Sequence, residues 1–282
     1  MAFPVPFVRR FPGLLRPHCG IRLLVTLVLG SAAFAAAPDN PPPWHAAPPP
    51  EYVVRRVKAP LPPPSSLETA WQSPAWTHAA TLDVDRFHAK PDPLYPRTQA
   101  RVLYDDAGLH VFFRVEDRYV RSVITAYQGP VSRDACVEFF LEPDGQRGYL
   151  NIEVNAGGTL LMKYHDPRLR PGAEESPPGY RLVLVPWEEA QHVRVHHSLP
   201  KVVDPEITTP VVWHVQYFVP FEILESHFGP LRPLPGRQWR ANFYKISAAN
   251  SHPHRATWAP IPPDARAAGF HQPRFFAPIR FE

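Results

Sequence analysis

Five stretches between residues 98 and 164 alternate apolar and polar side chains with a period of two, and turn signals separate them. "TQARVLY" (98–104) and "LHVFFRVE" (109–116) flank "DDAG"; "DACVEFFL" (134–141) and "YLNIEVN" (149–155) flank "EPDGQRG"; "GTLLMKY" (158–164) follows Ala156-Gly157. A period of two sends neighbouring side chains to opposite faces of a strand, so each stretch has one face that requires a core. The pattern recurs in "YVVRRV" (52–57), "YRLVLV" (180–185), "HVRVHH" (192–197), "VVWHVQYFV" (211–219), "QWRANFYKI" (238–246) and "RFFAPIRF" (274–281). There is no internal repeat and no helix–strand alternation. The spacing therefore predicts an all-β domain, an antiparallel β-sandwich of jelly-roll-like form with one or two short helices. "PFEILESHFG" (220–229), with Pro at its start and Gly at its end, predicts one helix. "SLETAWQSPAWTHA" (66–79) fits helix or loop.

The strands do not begin at the N-terminus. Residues 1–35 have the form of a secretory signal: four arginines (Arg9, Arg10, Arg16, Arg22) with no acidic residue, then "LLVTLVLGSAAFA" from Leu23 to Ala35. That run is too short to span a bilayer and ends in the small-x-small pattern Ala33-Phe34-Ala35. Residues 36–51 are a Pro-rich linker, stiff and extended. The domain is then 52–282. A secreted or periplasmic protein, off the membrane after cleavage and monomeric, is the expectation. Export also changes the charge argument. The chain has 30 Lys+Arg against 26 Asp+Glu, and the excess equals the four signal arginines. The mature chain is neutral, with no basic surplus to neutralise phosphates, which argues against a nucleic-acid partner. Cys19 lies in the signal, so Cys136 is alone and forms no intrachain disulfide. Inside an apolar strand it reads as a small buried hydrophobe rather than a reactive thiol.

Candidate chemistry gathers on the polar faces. In "YLNIEVN", Leu150, Ile152 and Val154 share one face; Tyr149, Asn151, Glu153 and Asn155 share the other. In "DACVEFF", Glu138 stands between apolar neighbours on its own face, a costly position for a carboxylate unless it is paired or used. The short turn between these strands predicts that they pair, bringing Glu138 near Asn151 or Glu153. "RANFYKI" adds Asn242, Tyr244 and Lys245, and the loop "SHPHRATWAPI" (251–261) adds His252, His254 and Trp258. Amides and carboxylates beside aromatic rings suit a sugar, whose vicinal hydroxyls take paired hydrogen bonds and whose C–H face stacks on an aromatic ring. The polar comb then reads as a hydroxyl reader on an exposed sheet face. A plain solvated strand explains the same comb equally well, because half-polar strands are ordinary in antiparallel sheets. Each histidine reads first as a surface or hydrogen-bonded structural group, since no zinc-type spacing such as HExxH is present. Most tryptophans read as core or rim packing; Trp258 is evenly balanced between packing and stacking.

Taken in order, "DACVEFFLEP", "YLNIEVNAGGTLL", "WHVQYFVPFEIL", "RANFYKI" and "PHRATWAPI…FHQPRFFAPIRFE" resemble the family 9-like carbohydrate-binding domains, from about residue 52 to the C-terminus. The resemblance implies a β-sandwich whose ligand is a polysaccharide or oligosaccharide, plant-type or related, in the service of carbohydrate catabolism. It implies that Glu138, in a D-x-x-V-E-like strand, is the sugar-binding glutamate. Asn151 and Glu153 fall where the next strand offers polar ligands. Asn242 and Tyr244 lie on the strand that lends an amide, and Trp258 matches the tryptophan after the late loop. The family places another tryptophan jaw just before the glutamate strand; here that stretch is "GPVSRDAC", and Tyr127 is the nearest aromatic, with His254 a further candidate. No cofactor is expected. The family's modules also carry structural calcium, for which Asp105, Asp106 and Asp117 are candidate oxygen ligands without a defined calcium loop. Two rival functions remain. A glycoside hydrolase would need two carboxylates across a cleft, and Glu138 with Glu153 offers a pair. A haem-binding sandwich would need axial His and Met; the one mature methionine, Met162, is explained more simply by core packing.

Overall fold

A computed structural model describes residues 50–58, 61, 63–90, 92–143, 147–168 and 179–282; the expected signal (1–35) and nearly all of the linker lie outside these residues. The strands are β1 (Tyr52–Arg56), β2 (Leu82–Asp83), β3 (Arg86–Phe87), β4 (Arg97–Tyr104), β5 (Gly108–Asp117), β6 (Val120–Ser122), β7 (Cys136–Glu142) and β8 (Tyr149–Asn155). They continue with β9 (Leu160–Asp166), β10 (Arg181–Leu184), β11 (Arg194–His197), β12 (Val203–Ile207), β13 (Val211–Pro220), β14 (Gln238–Ser247), β15 (His254–Thr257) and β16 (Ala277–Phe281). Helices are short: α1 (Leu67–Trp71), α2 (Pro74–Thr77), α3 (Trp187–Ala190) and α4 (Phe221–Phe228). The 66–79 stretch, open between helix and loop, forms the first two. Ser66 caps α1 by accepting from the Thr69 backbone N–H, and Pro74 opens α2. No helix among the described residues is long and apolar enough to cross a membrane.

The strands make two layers. One runs β10-β9-β8-β7-β14-β16-β1, and the other runs β1-β4-β5-β13-β11. Nearly all pairings are antiparallel, as expected. β1 is the exception and the hinge of the architecture. Tyr52 to Val54 pair in parallel with Ile279 to Phe281 of β16, then Arg55 and Arg56 pair in parallel with Leu103 and Tyr104 of β4. One strand thus belongs first to one layer and then to the other. The Tyr52 hydroxyl reinforces the crossing by donating to the Ala80 carbonyl at 2.6 Å and accepting from the Val102 N–H at 2.9 Å.

Between the layers lies the apolar half of every alternating stretch. Val102, Val111, Phe113 and Val215 come from one side, Val137, Phe139, Ile152 and Phe243 from the other, all buried. Phe113 meets Phe243 across the gap at 6.1 Å, and Phe243 stacks on Phe139 at 4.6 Å. Met162 packs fully buried in this core. The turn into β9 needs Gly158, whose φ of +78 lies in the left-handed region that side chains resist.

The outer faces depart from the sequence expectation. Each layer carries a second apolar cluster on the side away from the core. Trp71 and Trp76 lie edge-on to Phe112 over the layer containing β5. Ile261, Phe270 and Phe276, from the chain after β15, pack on Phe140, Tyr149 and Tyr244 over the other. Hence every residue of β7 and β8 is buried, on both faces. The stretch 251–261, expected as a loop, contains β15, because His254 to Thr257 complete a ladder with Ser247 to Tyr244.

Candidate functional site

Register assembles the site. β7 pairs with β8 so that Glu138 lies directly opposite Glu153 and Phe140 opposite Asn151. On the other side of β7, β14 sets Tyr244 opposite Glu138 and Asn242 opposite Phe140. β9 sets Lys163 opposite Asn151. Since Val137, Phe139, Ile152 and Phe243 occupy the core, these residues share the outer face of their layer. The expected pairing of the two carboxylates is therefore present. The expected exposure is not: Glu138, Asn151 and Glu153 are 3%, 0% and 6% exposed. The aromatic cover after β15, contributed from more than a hundred residues further along the chain, closes over them.

Within this recess most polar atoms answer one another. The Asn151 Nδ2 donates to Glu153 Oε1 at 2.7 Å. The Asn151 Oδ1 lies 3.1 Å from His165 Nε2, which must donate there. The His165 ring lies flat on Tyr149 at 4.3 Å and an interplanar angle of 4°. The Tyr149 hydroxyl in turn lies 2.9 Å from His271 Nδ1. Burial lowers the His271 pKa to about 4, aided by the Lys163 charge, so the ring that shares this hydrogen bond is neutral.

Glu138 is different. Its carboxylate makes no hydrogen bond with any described residue, yet its oxygens are not among the fully enclosed unpartnered atoms. It is buried as a residue and open as an acceptor. Burial first, and the facing Glu153 second, raise its pKa well above the ordinary carboxylate value; the charges of Arg255 and Lys163 pull the other way. Burial likewise raises Glu153 to about 7, against Lys163 and the Asn151 hydrogen bond. Burial and mutual repulsion therefore both work against ionising the two carboxyl groups together. With one of the two protonated, the pair offers one donor and one acceptor together, the set that a pair of vicinal hydroxyls requires. Cys136 completes a group with both glutamates in which one ligand atom of each lies within 4.8 Å of the others. Among the described residues it is the one cluster that could hold a metal ion. Lys163 and Arg255 already supply positive charge to the pair.

The other expected site residues are placed differently. Asn242 is on the same face, but its Oδ1 accepts from the backbone N–H groups of Phe243 and Ala259 at 2.9 and 2.8 Å, and its Nδ2 donates to the Ala259 carbonyl. It clips the chain after β15 to β14 rather than reading a ligand. Tyr244 belongs to the cover, stacked on Phe270 at 4.2 Å and donating to the Phe270 carbonyl. Trp258 does not join the patch. It lies on the core side, edge-on to Tyr52 at 6.4 Å and to Phe243 at 5.6 Å, and is 5% exposed. The reason is parity: Thr257 faces outward opposite Tyr244, so the next residue turns inward. His254 is buried with its Nε2 2.9 Å from Lys245 Nζ, as a structural histidine. Tyr127 donates to the Val185 carbonyl at 2.6 Å and leans on Trp187, whose ring is half exposed.

The candidate calcium ligands are each engaged elsewhere. Asp105 holds His110, Asp106 meets Arg56, and Asp117 accepts from Trp213 Nε1 beside Lys245. The sequence reading did not include Lys163, His165 and Arg255, and it noted His271 without giving it a role. Lys163 and His165 were open to detection, because the period-two parity of β9 places them beside Asn151 and Tyr149. His271 and Arg255 come from chain whose position only folding sets.

A family model described as carbohydrate-binding family 9 matches residues 77–281. Among solved structures, the chain is similar to a Bacteroides uniformis protein proposed to bind carbohydrate, at 24% identity and a TM-score of 0.69, covering 83% of this chain and 100% of that one. It is also similar to a family 9 carbohydrate-binding module from Caldicellulosiruptor kristjanssonii. In complex with glucose, that module gives 12% identity and a TM-score of 0.52, covering 83% of this chain and 96% of that one. In complex with cellotriose it gives 13% and 0.51, with coverage of 83% and 94%. A search of curated proteins finds no match.

Proposed function

We propose, since the chain belongs to carbohydrate-binding family 9, that it is a secreted or periplasmic protein that grips an oligosaccharide or polysaccharide without cutting it, in support of carbohydrate breakdown. The observation that carries this reading is the Glu138 carboxylate, unengaged by any described residue and set against the facing Glu153. One hydroxyl of a sugar donates to the charged carboxylate, and its neighbour accepts from the protonated one. Lys163 and Arg255 balance the charge at the rim. The relatives solved with glucose and cellotriose make gluco-configured sugars the first ligands to try. The carboxyl groups stand side by side on adjacent strands rather than on opposite walls of a cleft. That arrangement suits holding a sugar, not bracketing a glycosidic bond.

Calorimetric titration of the full chain with cello- and xylo-oligosaccharides tests the reading. Glu138→Gln keeps the shape and replaces the carboxyl group by an amide. It is expected to weaken binding by about 1–3 kcal/mol, the cost of leaving a desolvated ligand hydroxyl without its partner, with the thermal midpoint no lower than wild type. Wild-type affinity in Glu138→Gln would move the site away from this recess.

A further inference from the structure

The outer face of the other layer carries a groove that the glutamate recess does not use. There β11, β13 and β5 run side by side. Register sets Arg194 opposite Phe218 and His196 opposite Gln216, and Phe218 also faces His110. α1 and α2 cover part of this face through the two tryptophans on Phe112. Beside them lie two adjoining recesses that share Leu61, Pro63 and Gln216. The recess toward α2 is mostly apolar, lined by Trp76 and the Pro63–Pro64 strap, with a volume of about 330 Å³. The recess toward β11 is lined by His110, Arg194 and His196, with a volume of about 210 Å³.

Two side chains in this groove lack the partners their chemistry calls for. The Arg194 guanidinium lies over the Phe218 ring at 4.1 Å and makes no ion pair or hydrogen bond among the described residues. The Gln216 side chain is 6% exposed, and its Oε1 is fully buried with no partner. An orphan amide at that depth is costly unless something binds it. The carboxylate next to the groove, Asp105, is already held by His110 Nε2 at 2.9 Å and by the backbone N–H groups of Ala107 and Gly108. With Nε2 donating to Asp105, the other ring nitrogen of His110 is an acceptor. The groove therefore combines an unanswered cation, a buried amide, an imidazole acceptor and an adjoining apolar recess.

We propose that this groove is a second binding site, separate from the glutamate recess, and that its ligand is an acidic sugar, a uronic acid unit of a polysaccharide. The planar fork of Arg194 matches a carboxylate with two parallel hydrogen bonds. Gln216 and His110 take the ring hydroxyls. The neighbouring sugar lays its C–H face in the adjoining apolar recess. A neutral sugar would leave Arg194 unanswered, and an inorganic anion would leave the apolar recess empty.

The test titrates the full chain with oligomers of galacturonic and glucuronic acid, and with the same oligomers after reduction of each carboxyl to the alcohol. Saturable binding of the acidic form is expected, at least about tenfold tighter than the reduced form, and weakening as salt is raised. Arg194→Gln should abolish that preference and leave neutral cello-oligosaccharide binding unchanged. Gln216→Leu should weaken acidic binding by about tenfold or more, one hydrogen bond to a charged or hydroxyl group. If Gln216→Leu does not fold, Arg194→Gln, an exposed position, decides alone. Glu138→Gln should leave uronate affinity intact, which separates failure of this site from failure of the first. No saturable uronate binding, equal affinity for the reduced oligomers, or loss of uronate binding in Glu138→Gln would each overturn the proposal.

Discussion

Trp258 lies on the core side of its sheet against Tyr52 and Phe243, so truncating it opens a cavity between the layers. Trp258→Ala is expected to cost about 3–5 kcal/mol of folding stability, read from the urea midpoint. An unmoved midpoint would take the ring out of the core. The glutamates call for a pH titration instead. Burial raises the folded pKa of Glu153 from 4.5 to about 7. A raised acid binds its proton more tightly folded than unfolded, so its contribution is complete below pH 4.5 and is lost as pH rises through about 7. Glu153→Gln removes that loss. Relative to wild type, the variant should gain stability between those limits, up to about 3 kcal/mol above them. A wild-type-minus-variant difference that stays flat with pH would mean that the carboxyl is solvated.

At the scale of elements, β1 carries the joint between the layers. Its tyrosine hydroxyl bonds Ala80 on one side and Val102 on the other. Tyr52→Phe keeps the ring and leaves a buried N–H and a carbonyl unanswered, a cost of about 1–3 kcal/mol. Amide hydrogen exchange should then speed up first in β4 and the residues near Ala80; uniform acceleration across both layers would deny β1 this role. β7 and β8 were legible from alternation and from the turn between them, which left Glu138 near Asn151 or Glu153; the register selects Glu153. β15 was not. "HRAT" has too few residues to show a period, and it becomes a strand because β14 extends a ladder beyond β7 for it to complete.

The whole molecule buries neutral histidines. Burial lowers His254 to about 3, with Lys245 adding to it, and His271 to about 4. A depressed base contributes stability that is present above its unfolded value of 6.5 and is lost as pH falls through the folded value. The histidines' contribution should therefore fall from pH 6.5 toward 4, opposite in sign to the Glu153 effect, so it is read as the difference between wild type and a histidine variant. His271→Phe should flatten part of the decline in urea midpoint, at the cost of the Tyr149 hydrogen bond. A wild-type-minus-variant difference that stays flat in that window would mean that the His271 ring protonates freely in the fold.

The sequence by itself determined the long strands, their inward faces, the short helix at 221–228 and the family, and it narrowed the neighbour of Glu138 to Asn151 or Glu153. Each follows from local geometry: side-chain parity along a strand is set by the backbone, and a short turn fixes which strand comes next to which. Only the tertiary structure decided that the polar face of β8 is roofed, that Trp258 belongs to the core, that Asn242 is a clip, and that β1 runs parallel at the seam of the layers. The roof is built from Ile261, Phe270 and Phe276. Their apolar character is plain in the sequence, but which of the two outer faces they cover depends on contacts made across more than a hundred residues. No local period records that choice, and it is what turns an ordinary polar strand face into a covered pair of buried carboxyl groups.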